Sequence, residues 1–242
     1  MNAYLTLIKN FFKLSFSKAG NWILVFAAPV FGFLALFFLI KMSAGSAEEG
    51  FQAVGVILFF IMLQGALISG LTIKDRHSGV LSRILAAPVR YRVYSISNGI
   101  ACFIILAAEI LFNVLIISLI FPSLAGIFWK AAPLFLVFGL TSTGIGFFLA
   151  GISQTSAQSD IIVNFSVILS SIMAGVFFPA EFMSPLMQKI SYIFPQRWAM
   201  QGIKELQTGK NYGDIWINLL ILALIAVLAI SMHGAVRRKQ RY

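Results

Sequence analysis

The residue whose type and setting most suggest chemistry is Glu109, which lies inside a long apolar segment. Six apolar segments of this chain, given below, are long enough to cross a bilayer, and Glu109 is the one formally charged residue in all of them. A charged carboxylate at the bilayer centre costs at least a few kcal/mol, so we expect it to face protein, water or a partner helix. Glu109 then either lines a transport pathway with Asn113, one turn away, or is a protonated packing residue that hydrogen-bonds to Asn113.

The rest of the sequence offers little for catalysis. It contains no G-x-x-x-x-G-K-[ST] phosphate-binding loop, so any nucleotide hydrolysis must come from another polypeptide. His77 and His233 lack the neighbouring ligands of a metal site, and the single cysteine, Cys102, excludes an intrachain disulfide and a cysteine metal site. We therefore expect no catalytic residue, no metal and no cofactor in this chain.

The composition of the chain indicates that the residues named above belong to a membrane protein. The 242 residues are 60% hydrophobic and 11% charged, whereas an ordinary soluble domain is about 25% charged. A soluble enzyme is therefore excluded, and we expect one all-α integral membrane domain over residues 1–242. A span needs about 20 apolar helical residues. Six segments qualify: 22–40, 51–73, 95–121, 131–152, 161–178 and 215–232.

The basic residues orient these six predicted spans. Twelve of the 18 Lys and Arg fall in the first, third, fifth and last connecting segments, which together are about as long as the others. Because cytoplasmic loops carry the excess of Lys and Arg, both termini are predicted to lie in the cytoplasm. The net charge of +10 then reflects topology in a cell membrane, and no nucleic-acid partner is needed to explain it.

The N-terminal segment 1–21 has the pattern of an amphipathic helix lying in the membrane interface. Tyr4, Leu7, Ile8, Phe11 and Leu14 recur at helical spacing, and lysines occupy a more polar side. The alternative is a helical extension of the first span. The apolar run that follows lacks a small-residue cleavage site, so we expect it to stay in the mature protein.

The external segment 179–214 is apolar but is divided by prolines into pieces too short to span. Ser184 followed by Pro185 is typical of a helix N-cap and first-turn proline, and Pro195 ends that helix. A second short helix is predicted over residues 197–207, stopping at Gly209. The pair forms either a hairpin that re-enters the bilayer or two helices lying on its surface.

The cytoplasmic segment 74–94 combines many charges with a short apolar ridge. The ridge consists of Val80, Leu81, Ile84 and Leu85. It predicts a helix that lies along the membrane surface or docks into a groove on a partner protein.

In the fourth span, Ser142, Gly146 and Ala150 lie four residues apart and permit close approach of another helix. Whether that helix belongs to the same chain is left open.

The run K-D-R-H-S-G-V-L-S-R-I-L-A-A-P-V from Lys74 resembles the loop after the second span of ABC-2 type permeases. The family pattern, acidic–basic–x–x–Gly–Thr–Leu–Glu–x–Leu followed by Pro-Val or Pro-Ile, is matched at Asp75, Arg76, Gly79, Leu81, Pro88 and Val89. Val80 and Ser82 replace the usual Thr and Glu, so the polar contacts of those side chains are not expected. An amphipathic N-terminal helix and a proline-rich segment before the last span add to the likeness.

The resemblance implies a membrane subunit that pairs with a second permease, identical or paralogous, and with two cytoplasmic ATPase subunits that bind ATP and Mg²⁺. The coupling helix that meets the ATPase would comprise Asp75, Arg76, Gly79, Val80, Leu81, Arg83, Ile84, Leu85 and Pro88. A secondary cytoplasmic contact would involve Ser153, Gln154 and Thr155, and an external gate Phe178, Pro179, Pro185, Pro195 and Trp198.

The expected activity is export of a drug, an antimicrobial peptide or a lipid-like amphiphile. Two alternatives remain at this point. The chain is a sensor or immunity component that binds a membrane-active peptide without moving it, or it is a secondary transporter. The second alternative is disfavoured because a proton relay needs more ionisable groups than Glu109 alone.

Overall fold

The computed structural model describes residues 3–15, 23–44, 49–77, 79–86, 91–178 and 182–239. Within these ranges the chain is almost entirely helical and has no strand, which confirms the all-α prediction. The helices are α1 (Ala3–Ser15), α2 (Ala28–Ala44), α3 (Glu49–His77), α4 (Val80–Ala86), α5 (Tyr91–Ile120), α6 (Pro122–Ile152), α7 (Ser156–Met173), α8 (Pro185–Ser191), α9 (Pro195–Gln207) and α10 (Trp216–Lys239). A π-helical turn, Ile23–Ala27, precedes α2.

Five of the described helices are long and apolar enough to cross a membrane. They are α3, α5, α6, α7 and α10, and each contains one of the predicted spans or most of it. The apolar stretch Val25–Leu39, which runs from the π-helical turn into α2, is shorter, and the residues just before the turn lie outside the described ranges. By this criterion the described chain contains five candidate spans, whereas the sequence predicts six.

Several helices extend beyond the apolar segments. α5 begins at Tyr91 and α7 at Ser156, each a few residues before the predicted span. α6 begins at Pro122, so the predicted connector 122–130 is helical and only Phe121 separates α5 from α6. Hydropathy marks the part of a helix that suits hydrocarbon, but the backbone stays helical until a cap or turn stops it. A proline is well tolerated in the first turn of a helix, because an amide N–H at that position would have no acceptor within the helix.

α6 is the central helix, and its small residues face α3. The Ser142 Oγ lies 2.9 Å from the carbonyl oxygen of Met62 and 3.1 Å from that of Ile61. A Cβ added to Gly146 would lie 2.6 Å from the Cα of Ala66, so the two backbones almost touch. The close approach predicted from these residues is confirmed, and the partner helix belongs to the same chain.

Other faces of α6 pack against α5, α9 and α10. Towards α10, the Thr141 Oγ1 donates to the carbonyl oxygen of Leu222 at 2.9 Å. Such hydroxyl-to-carbonyl bonds help to hold helices together where lipid removes the hydrophobic driving force. Away from α6, large apolar side chains remain exposed, for example Ile161 and Phe165 on α7, which are 70% and 67% exposed. These faces suit lipid or a second protein.

The helix α1 packs against α5. Phe11 is buried in this contact, whereas Lys9 and Lys13 are exposed. Leu7 and Ile8 of the predicted apolar side are half-buried, but Tyr4 is 43% exposed, so the predicted amphipathic pattern is matched in part. Residues 16–22, which join α1 to the π-helical turn, lie outside the described ranges.

Candidate functional site

The predicted coupling segment contains the seven-residue helix α4, set off from α3 by Gly79. Gly79 has a φ of +72°, in the left-handed region that glycine adopts far more readily than other residues. The amide of Arg83 donates to the carbonyl oxygen of Gly79 at 3.2 Å, which starts the new helix. Gly79 therefore redirects the chain at the end of α3, and the direction of α4 depends on its backbone conformation.

The side chains that the structure describes on α4 follow the predicted ridge. Leu81 and Ile84 are half-buried, and Arg83 is exposed. Asp75 and Arg76 belong to the last turns of α3, so residues 74–77 of the predicted loop extend that helix. The side chains of Asp75, Arg76, Val80 and Leu85 are not described, and Pro88 lies outside the described residues. A helix therefore lies where the sequence predicts one, and its contact with an ATPase stays a prediction.

The short turn between α6 and α7 is capped by its own side chains. The Oγ1 of Thr155 accepts a hydrogen bond from the amide of Gln158 at 3.1 Å, and the Gln158 Oε1 accepts from the amide of Gln154 at 2.8 Å. This reciprocal arrangement is similar to a capping box. Ser153 is buried and bonds to the carbonyl oxygen of Leu149, so Gln154 and Thr155 are the exposed members of the predicted contact.

The segment predicted to be external contains two short helices, as expected, but Pro195 does not end the first of them. α8 stops at Ser191, and Pro195 occupies the first turn of α9. The Ser184 Oγ caps α8 by accepting from the amide of Met187, and Pro185 occupies the first turn. α9 begins at Pro195, two residues before the predicted start, and is followed by Gly209 with a φ of +92°. Whether the pair re-enters the bilayer stays a prediction.

The proposed gate residues differ in their surroundings. Phe178 is 38% exposed and Pro195 is buried, whereas Pro179 lies outside the described residues. The Trp198 Nε1 donates to the carbonyl oxygen of Tyr192 at 2.9 Å, and the two rings meet edge to face. Trp198 therefore closes the turn between α8 and α9.

α9 is fixed to the bundle by polar contacts that local sequence patterns do not reveal. The Lys130 Nζ on α6 donates to the carbonyl oxygen of Leu206 at 2.9 Å, near the C-terminus of α9, where the helix dipole favours a cation. The hydroxyl of Tyr212 donates to the carbonyl oxygen of Lys130 at 2.7 Å. Buried Gln196 donates through Nε2 to the Oγ of Ser170 on α7. These residues are far apart in the chain, so only the tertiary fold brings them together.

Glu109 is buried in α5, with 2% of its surface exposed. The Nδ2 of Asn113 donates to the backbone carbonyl oxygen of Glu109 at 2.8 Å, and not to its carboxylate. Among the described residues, the Glu109 Oε2 and the Asn113 Oδ1 have no hydrogen-bond partner. The two residues are neighbours as predicted, but Asn113 does not satisfy the acid in the way that the packing interpretation supposed.

The structure places the candidate regions at different levels of the bundle. α3 begins near the turn that follows α7, where Gly55 approaches the backbone of Val176, and ends next to α4. Near the α4 end, the Nδ1 of His233 on α10 lies 2.7 Å from the carbonyl oxygen of Phe147. Glu109 lies between the two ends in α5. The coupling and gate residues therefore do not form one cluster, and α3 and α6 connect them.

The described residues form a helical bundle in which five helices are long and apolar enough to cross a membrane, which is the architecture of a multi-pass membrane protein. The family model for ABC-2 type transporters matches residues 2–208. The chain belongs to the ABC-2 type transporter family.

Individual relatives give the same result. The chain is 32% identical over 193 residues to the linearmycin resistance permease protein LnrN of Bacillus subtilis (strain 168), covering 77% of this chain and 49% of that protein. It is 28% identical over 198 residues to the putative transport permease ycf38 of Pyropia yezoensis, covering 71% and 64% of the two chains. The corresponding protein of Porphyra purpurea is 27% identical over 207 residues, with coverages of 73% and 66%. The chain thus spans about half the length of the first relative and somewhat less than two thirds of the others.

Proposed function

We propose that this chain is the permease subunit of an ATP-driven exporter. It would work with a second permease, identical or paralogous, and with two ATPase subunits that bind ATP and Mg²⁺. The observation that carries the proposal is the family match over residues 2–208, together with a helix at the predicted coupling position. The chain itself supplies no phosphate-binding loop, so the energy must enter from the partner.

The coupling helix α4 would receive the movement of the ATPase. Closure of two ATPase subunits around ATP would push on α4 and, through Gly79, on the end of α3. α3 is bound to α6 by the Ser142 contacts and by the Ser69 Oγ, which lies 3.1 Å from the carbonyl oxygen of Thr143. A push on α3 would therefore move α3 and α6 as one unit and shift the balance between inward-facing and outward-facing states. ATP drives this shift only because the two states bind the closed ATPase differently.

The proposed topology has six spans in the cell membrane, with α2 as the additional, shorter one. Both termini and α4 would face the cytoplasm, in keeping with the excess of Lys and Arg in these segments, and the turn at Gln154 would lie on the same side because successive spans alternate in direction. α8 and α9 would close the pathway from outside. The contacts of Lys130 and Gln196 hold α9 to α6 and α7. α9 would therefore be the fixed side of this closure.

The proposed substrate is an amphiphile such as a drug, an antimicrobial peptide or a lipid-like molecule. The name of LnrN ties that relative to resistance against linearmycin, which supports the drug class. Few polar side chains interrupt the apolar surfaces of the bundle, so a mainly apolar substrate would meet a matching surface.

Pairing with an ATPase is tested by co-purification. The chain is co-expressed with a candidate ABC ATPase and captured through a tag, and the bound ATPase is quantified. Replacing half-buried Leu81 with aspartate is expected to lower the recovered ATPase about tenfold or more. The variant places a charge in a desolvated contact, and losing such a contact costs about 2 kcal/mol or more.

Leu186→Asp is the matched control, since it makes the same change at a leucine of α8 that is 68% exposed at the other end of the bundle. It should leave ATPase recovery unchanged. Equal recovery with Leu81→Asp and with the wild-type chain would show that α4 is not the ATPase contact.

A further inference from the structure

A small cavity lies where α2, α3 and α5 meet, and it contains two polar atoms of α5 that lack a partner among the described residues. It leaves about 20 Å³ for the centre of a water-sized group. Glu109 and Asn113 line one side, and the aromatic rings of Phe33 and Phe60 belong to its apolar wall. Phe33 is buried with 1% of its surface exposed and Phe60 is half-buried, so the Phe33 side of this wall faces inward and not towards lipid.

Two polar atoms of this cavity lack a partner among the described residues: an amide oxygen, which only accepts, and a carboxyl oxygen, which accepts when Glu109 is ionised. The Oε2 belongs to a carboxyl group, and the Oδ1 belongs to an amide whose Nδ2 already donates to a backbone carbonyl. Buried polar atoms are nearly always hydrogen-bonded, so a pair left open in an apolar cavity points to a missing donor. Aromatic faces additionally attract a cation. The combination of a carboxyl group, a second acceptor and two rings suits a positively charged donor.

The walls of the cavity are built where α2 departs from regular helix. Pro29, which lines the cavity, follows the π-helical turn Ile23–Ala27. Proline has no amide hydrogen and cannot donate to the carbonyl four residues earlier, so the backbone adjusts around it. On the other side, Phe60 packs directly over Gly32, where any Cβ would collide with its ring. Gly32 therefore leaves room for the ring that closes the cavity.

We propose that this cavity binds the primary ammonium group of an amphiphilic molecule, with Glu109 and Asn113 as its acceptors and the rings of Phe33 and Phe60 against its charge. The inference deepens the proposed function, because it names a class of molecule that such an exporter would recognise. The ammonium and the carboxylate neutralise each other, which avoids an isolated charge within the membrane. The site lies within one chain, so it is complete without a second permease.

The size of the cavity determines which head groups it can admit. A primary ammonium is about as large as a water molecule and fits a space of about 20 Å³ for its centre, whereas a trimethylammonium group does not. A neutral hydroxyl group fits but gains neither the ion pair nor the attraction of the rings. The site should therefore rank an alkylamine above the alcohol and the quaternary salt of the same chain length.

The experiment uses the full chain in nanodiscs of phosphatidylcholine, without ATPase and without ATP. Dodecylamine, dodecanol and dodecyltrimethylammonium are titrated at neutral pH, and the melting temperature is followed by tryptophan fluorescence. Dodecylamine is expected to raise it saturably, and the other two are not. Glu109→Gln should weaken the response at least about tenfold, as expected for the loss of a charged hydrogen bond. Asn113→Leu provides a second variant with the same direction of effect.

Ser118→Ala is the matched control, since Ser118 is another buried polar residue of α5 and does not line the cavity. It should respond to dodecylamine as the wild type does. An equal saturable response of Glu109→Gln, or of the wild type to the quaternary salt, would overturn the proposal.

Two sources of ammonium are separated by adding phosphatidylethanolamine to the nanodisc. Competition with dodecylamine identifies the lipid headgroup as the occupant, and lack of competition identifies a free amphiphile. Because binding is measured without the ATPase, failure of export leaves this result unaffected. Conversely, loss of this site would leave ATP-driven transport of other amphiphiles intact.

Discussion

Replacing Gly79 with valine is expected to reduce ATP-dependent transport by about tenfold or more while the chain still inserts into the membrane. Gly79 has a φ of +72°, and a residue with a Cβ costs roughly 1–2 kcal/mol in the left-handed region. A Cβ there would meet no atom within 4 Å among the described residues, so the effect arises in the backbone and not from a collision. The backbone would relax towards negative φ and redirect α4 relative to α3. Transport by vesicles that contain the permease and its ATPase measures the loss.

Two further variants separate this effect from general damage. Gly209 also has a positive φ, +92°, and open space around its Cβ position, but it follows α9, at the end of the bundle opposite to α4. Gly209→Val should therefore retain most of the coupling between ATP hydrolysis and transport. Gly79→Asn should also retain it, because asparagine visits the left-handed region more readily than valine. Wild-type transport by Gly79→Val would show that the turn does not set the position of the coupling helix.

Replacing Gly146 with valine is expected to destabilise the whole bundle. A Cβ at this position would lie 2.6 Å from the Cα of Ala66 and 3.0 Å from the carbonyl oxygen of Gly65, and backbone atoms cannot rotate away. α3 and α6 must then separate, which also lengthens the contacts of the Ser142 hydroxyl with α3. Overpacking of this kind costs up to about 3 kcal/mol. We expect the melting temperature in detergent to fall by roughly 10 °C.

The control for this prediction lies in the same helix. Gly126 is near the start of α6, and a Cβ there meets no described atom within 4 Å. Gly126→Val makes the same chemical change and should alter the melting temperature by only a degree or two, as a rough expectation for an exposed helical site. If both variants melt equally early, the loss reflects helix propensity and not the contact between α3 and α6.

The sequence was sufficient to predict features that depend on local chemistry. The cap at Ser184, the first-turn Pro185 and the stop at Gly209 are recognisable because each acts on its own neighbouring backbone. The close approach at Gly146 also follows from residue size alone. Its partner helix does not, because the spacing of small residues on α6 is the same whichever helix packs there.

Other features needed the fold. The hydrogen bond from Lys130 to the carbonyl oxygen of Leu206 joins two helices that are far apart in the sequence. No local sequence pattern identifies these two residues as partners. Asn113 lies one turn after Glu109, as helical spacing requires, but its amide bonds to the backbone and leaves the carboxylate oxygen Oε2 open. Helix limits such as Pro122 also differ from the predicted spans, since hydropathy measures suitability for hydrocarbon and not the extent of the backbone hydrogen bonds.

We propose that this chain moves an amphiphile at the expense of ATP bound by its partner. The most direct measurement is accumulation of fluorescent amphiphilic dyes in inside-out vesicles that contain the permease and its ATPase. A parallel preparation carries an ATPase whose phosphate-binding lysine is replaced. We predict that ATP drives accumulation against the dye gradient in the first preparation and not in the second. Equal dye distribution with and without ATP, despite stable pairing and active ATPase, would contradict export and favour a sensor that binds without transport.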